Sequence, residues 1–143
     1  QDPLQNNPQP DSISFGTVLK AWVRSKRPEA PERADALLAK LQELHEAGWE
    51  QCKPDVVTYA SVMQCHAKSK RRDAPEKAEA LLRRLIRLAN EGQPDMAPAT
   101  VCWNSAINAC AQRGNGARAE ALFKELFTTY IHDKQPAAPT LLT

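Results

Sequence analysis

The sequence has no pair of cysteines two residues apart, and none of its three histidines lies at zinc-finger spacing from Cys52, Cys65, Cys102 or Cys110. The four cysteines therefore read as reduced thiols that behave as small apolar residues. A Cys102–Cys110 disulfide is excluded on helical geometry, since residues eight apart lie roughly 12 Å apart along a helix axis. No apolar run approaches the roughly 20 residues that span a bilayer, so no helical membrane segment is expected. There is no H-x-E followed by C-x-x-C, which a zinc deaminase would need, and no paired aspartates suggest a metal-dependent nuclease. His45, His66 and His132 stand apart from any nucleophile in the sequence pattern. The expectation is a non-enzyme with no catalytic residue, metal, cofactor or small-molecule substrate.

What is present is a repeat. Pro10-Asp11 returns as Pro54-Asp55, and the proline returns again as Pro98, each step being 44 residues. Residues 10–53 laid over 54–97 without a gap give 16 identities, including Ser25-Lys26-Arg27 over Ser69-Lys70-Arg71 and Ala30-Pro31-Glu32 over Ala74-Pro75-Glu76. A third unit, 98–138, repeats Ala78-Glu79-Ala80-Leu81 as Ala119–Leu122 after a three-residue deletion. Pro139 then opens what would be a further unit over 139–143, and residues 1–9 form a loose N-terminal segment. With Gln1 in place of an initiating methionine and no polar cap at either end, the chain reads as a piece of a longer array.

Each unit predicts two helices. The first helices run about 12–25, 56–69 and 100–113, with apolar stripes at Phe15, Val18, Leu19, Trp22; at Tyr59, Val62, Met63, His66; and at Trp103, Ala106, Ile107, Cys110. His66 thus occupies a packing slot, and Trp22, Trp49 and Trp103 read as core or seam residues. The second helices begin near Pro31, Pro75 and Gly116, since proline suits a first turn whose N–H groups lack partners. Asp73 is a candidate N-cap. Gly48 and Gly92 end the second helices ahead of a proline-bearing connector. One such pair cannot bury its own apolar face, so the units must stack. The expected fold is all-α, an α-solenoid of helix–turn–helix repeats with a right-handed superhelical path.

Net charge is only +2, yet the charges are unevenly placed. Windows 12–28, 56–72 and 100–118 hold 10 of the 19 Lys and Arg side chains and none of the 17 acids, where an even spread would put about six acids there. Opposite the apolar stripe, each first helix carries a column: Ile13, Gly16, Lys20, Arg24; Val57, Ala60, Gln64, Lys68; Val101, Asn104, Asn108, Gln112. Aliphatic groups can clamp base faces, amides can read base edges, and a cation can meet phosphate. The same column also fits a plain solvated face with one apolar residue in the inter-repeat seam.

The run Pro54-Asp55-Val56-Val57-Thr58-Tyr59 closely resembles the start of a pentatricopeptide repeat. Pro10–Phe15 and Pro98–Trp103 are weaker copies, and Ala78–Leu82 and Ala119–Leu122 resemble the family's second helix. The resemblance covers about residues 10–143 and implies one RNA base per repeat. It places the aliphatic base clamp on Ile13, Val57 and Val101. The base-edge pairs fall on Gly16 with Asp55, Ala60 with Ala99, and Asn104 with Thr140. The phosphate-facing cations fall on Arg24 and Lys68, a role from which Gln112 departs. Gly16 and Ala60 offer no side-chain hydrogen bond, so two units should discriminate bases poorly, whereas an amide at Asn104 implies a pyrimidine. The resemblance further implies single-stranded RNA as partner, a role in RNA processing, stability or translation, and a mitochondrial or plastid setting. A protein–protein scaffold of the helical-solenoid type is the alternative.

Overall fold

A computed structural model describes residues 8–134. Six α-helices follow one another: α1 Ser12–Ser25, α2 Ala30–Glu46, α3 Val56–Lys68, α4 Ala74–Asn90, α5 Thr100–Gln112 and α6 Gly116–Lys134. No strand occurs among the described residues. The described residues are all-α, a stack of three helical hairpins in which α1, α3 and α5 pack side by side, α2 and α4 each lean on the first helix of their own unit and of the next, and α6 leans on α5.

Local chemistry sets the helix ends. Asp11 caps α1 through a capping box, its carboxylate accepting from the Ser14 amide at 2.8 Å while the Ser14 hydroxyl accepts from the Asp11 amide at 3.3 Å. Asp55 caps α3, its Oδ1 accepting from both the amide and the hydroxyl of Thr58 at 2.8 Å. Asp73 stands at the N-cap of α4, but its side chain makes no capping bond, contrary to expectation. Its backbone is already near helical (φ −91°, ψ 6°), whereas Asp11 and Asp55 have the extended conformation that folds a carboxylate back over the first turn. After α2 the chain turns left-handed at Gly48 (φ 104°), and the Trp49 amide reaches back to the Leu44 carbonyl at 3.1 Å. Gly92 (φ 106°) and the Gln93–Leu88 bond repeat this termination after α4.

The proline-bearing connectors hold one further element, a short 3-10 turn at Glu50–Cys52 and again at Pro94–Met96. Each drives its last side chain, Cys52 or Met96, into the core. Cys52 also donates its thiol to the Pro10 carbonyl at 3.3 Å, tying one unit's exit to its own entrance.

The core runs along the seam between layers through Leu19, Met63, Leu82, Leu85, Trp103 and Leu122. As the middle helix of its layer, α3 is covered from both sides, and Thr58–Met63 are all buried. The ends differ. Val18, assigned to the apolar stripe, is 45% exposed although its counterparts Val62 and Ala106 are fully buried. No helix precedes α1 among the described residues to cover it. At the other end Phe123, in the position of Leu38 and Leu82, is 44% exposed for the same reason. Trp103 is buried and Trp22 half-buried, as seam residues should be. Trp49 is exposed instead, because it follows the left-handed glycine and the chain there is already leaving the layer.

Candidate nucleic-acid interface

Ile13, Val57 and Val101 are each the second residue of a first helix, and all three are exposed apolar side chains. Burial did not select them for the core. Val57 and Val101 border one cavity of about 220 Å³, with Ala60 and Ala99 in its lining, Gln64 and Lys20 beside them. The residues expected as clamps of two adjacent units and the pair expected at the base edge between them thereby line a single cavity. Ile13 is not part of that cavity.

A second cavity of about 280 Å³ continues along the column, lined by Gln64, Lys68, Val101, Asn104 and Asn108. Lys68 and Asn104 therefore meet on one surface. Gly16 is half-buried on α1. Ala60, placed on the outward column by phase alone, is 6% exposed. Flanking by α1 and α5 closes the sides of α3, so its column reaches the surface only at Val57, Gln64 and Lys68, and Ala60 forms a floor. Asp55 serves the helix end, because the oxygen that caps α3 is already engaged. Thr140 lies outside the described residues.

The acid-free windows are less uniformly positive in three dimensions than in sequence. Arg27 pairs with Glu29, Arg71 with Glu32 and Arg118 with Glu79, all three carboxylates coming from or just before second helices. The last two pairs bridge units: Arg71 Nη2 lies 2.6 Å from Glu32, and Arg118 Nε 2.9 Å from Glu79. Glu79 also faces Arg83, whose Nη2 lies 2.7 Å from Glu125 of the next unit. Hydrogen bonding to Arg118, and then to Arg83, holds the Glu79 carboxyl below its ordinary range, and Arg83 does the same to Glu125. Among the described residues, Lys20, Arg24, Lys26, Lys68 and Lys70 have no carboxylate at ion-pair distance. Lys20, Arg24 and Lys68 of the outward column are thus among the cations left for a polyanion, as are Arg72 and Arg113 of the same windows.

His66 is buried and bonded to Asp35, as a packing role requires. All four cysteines are free and buried, and burial pushes the Cys65 thiol up to about 11. No group of three or more metal-ligating side chains occurs among the described residues, and no helix there is long and apolar enough to cross a membrane.

Residues 101–128 match the PPR repeat family, a span that runs from the Val101 clamp position through α5 into α6. No curated protein and no solved structure matches the chain.

Proposed function

We propose that this helical repeat protein, which carries a PPR repeat over residues 101–128, binds single-stranded RNA along the edge formed by α1, α3 and α5. One observation carries the reading: Val57 and Val101, from successive units, face one cavity whose floor and rim are Ala60, Ala99, Gln64 and Lys20. A planar base fits between two aliphatic side chains. The amides of Gln64, Asn104 and Asn108 then offer donors and acceptors along the strand, and Lys20, Arg24 and Lys68 offset phosphate charge. Ala60 and Ala99 cannot hydrogen-bond a base edge, so the cavity between α3 and α5 admits any base, and discrimination rests on Asn104.

With few repeats, affinity is modest and driven by released counterions, falling steeply with salt. Fluorescence anisotropy on single-stranded and duplex RNA at two salt concentrations tests the proposal. The expected result is salt-sensitive binding to the single strand and much weaker binding to the duplex. Equal, salt-insensitive binding to both would remove it. A mitochondrial or plastid setting, and service in RNA processing, stability or translation, belong to this proposal through the family resemblance alone.

A protein scaffold is the second reading, favoured by the apolar side chains left bare on the outer helices, Val18 at one end and Phe123 and Tyr130 at the other. Co-purifying protein that survives ribonuclease would support it.

A further inference from the structure

A cavity larger than either of those along the groove lies away from it. It holds about 600 Å³ and lies at the opposite ends of the first helices, where Trp22 of α1, Lys68 of α3 and Gln112 of α5 meet the turns that carry Lys26 and Lys70. Those turns are the Ser-Lys-Arg sequences repeated between units one and two. Of their cations, Arg27 and Arg71 are consumed by Glu29 and Glu32. Lys26 and Lys70 are not.

Their backbone is unusual as well. Lys26 (φ 56°) and Lys70 (φ 61°) are the two residues other than glycine with positive φ among the described residues. The third unit places Gly114 (φ 73°) at the same step of 44. Glycine takes this conformation freely and a side chain does not, so the first two units hold lysine where the backbone favours glycine. A strained residue at a cavity points to use of its side chain.

Lys68 links the two regions, for it lines both this cavity and the groove cavity containing Val101 and Asn104. We infer that the single strand held in the groove crosses Lys68 and places a backbone phosphate in the turn cavity that Lys26 and Lys70 line. This rests on the RNA reading above. It adds a phosphate site outside the clamp column and lengthens the contacted strand beyond the groove.

The bland account is that a lysine after a helix C-terminus complements the helix dipole. The two accounts differ in what glycine does. Lys26→Gly with Lys70→Gly removes both charges while suiting the backbone, and Lys26→Arg with Lys70→Arg keeps both charges in the same backbone. A second pair, Val57→Ala with Val101→Ala, weakens the clamp without touching charge. All are compared with the wild type by anisotropy on an oligouridylate of about a dozen nucleotides across a salt series, alongside thermal melts.

The expected result is about tenfold weaker binding by the glycine pair, with the salt slope reduced by roughly 0.7 for one phosphate no longer neutralised on a single strand. Its melting temperature should be unchanged or raised, and the arginine pair should bind like wild type. The valine pair should lose affinity with its slope intact. Wild-type affinity and slope in the glycine pair, beside weakened binding by the valine pair, overturn the turn site and leave the groove standing. A lowered melting temperature with RNA binding untouched assigns the lysines to helix capping and overturns it equally. Loss of binding by the arginine pair overturns a contact based on charge. Failure of the wild type to bind the oligonucleotide removes both readings at once.

Discussion

The Nε2 atom of His66 lies 2.8 Å from Oδ1 of Asp35, joining α3 of the second unit to α2 of the first. The histidine side chain is 4% exposed and the aspartate 45%, so a half-open carboxylate satisfies a ring that water cannot readily reach. In the other units the same slot holds Trp22 and Cys110, which need no such partner. A polar residue in a packing position is tolerated here because the neighbouring unit supplies its hydrogen bond.

Asp35→Ala should therefore destabilise the fold by roughly 1–2 kcal/mol, the usual effect of leaving a buried polar atom unpaired. Urea unfolding monitored by circular dichroism checks it. The side chains of the clamp column are elsewhere, so RNA affinity measured on the folded variant should not change.

Leu82 is fully buried on α4, the helix that packs against both α3 and α5. Leu82→Ala should cost about 2–5 kcal/mol through lost burial and the cavity left behind. Phe123→Ala, the matching truncation on α6, should cost far less because that side chain is 44% exposed. Parallel denaturant melts of the two variants test the asymmetry.

The carboxyls of Glu79 and Glu125 titrate below their ordinary range because Arg118 and Arg83 bind their charged forms. A carboxylate with a depressed folded-state pKa contributes stability that is present above its unfolded value and lost as pH falls through the folded one. Thermal stability should thus drop as the solution is acidified below the ordinary glutamate value of 4.5. Glu79→Gln should flatten that decline and lower the neutral-pH plateau. Melting temperatures between neutral and acid pH decide the matter.

Cys65 is buried and its thiol is pushed up to about 11, with Cys102 and Cys110 raised in the same direction by burial. Thiolate is the reactive form, so these cysteines should resist an aromatic disulfide reagent at neutral pH in the native protein. Cys52 is equally buried and should resist it too. All four should react once denaturant is added. Rapid labelling of the native chain would show that the repeat stack opens far more readily than its packing implies.

Asn104 is one of two exposed amides, with Asn108, in the groove cavity that also holds Lys68. Asn104→Ala should leave the salt dependence of RNA binding intact and narrow the difference between oligouridylate and oligoadenylate. The expected loss of discrimination is about 1 kcal/mol or more. A competition assay with the two homopolymers reads it directly.

The 44-residue step and the 3.6-residue periodicity were legible because they are local: six helices follow from where Asp, Pro and Gly punctuate the chain. The exposed aliphatics at Ile13, Val57 and Val101 were implied by helical phase, whereas the sequence pointed to Asp73 as a cap and the structure gives that role to Asp11 and Asp55. Three features were not visible. Phase placed Ala60 outward, and only the approach of α1 and α5 buries it. Sequence windows counted Arg71 and Arg118 as available charge, yet glutamates 39 residues earlier in the chain hold them. Nothing in the letters distinguishes Lys26 and Lys70 as left-handed, although Gly114 at the matching step was a signal that comparison across units could have used.

Sequence alone determined the helices, their order and the need to stack, since backbone geometry and apolar spacing act within one turn or one repeat. Tertiary structure decided which charges remain unpaired and which small residues become a floor. It also decided that two clamp valines 44 residues apart share one cavity. Those outcomes depend on distances between units, which are set by side-chain packing in the seam and are not written in any single repeat.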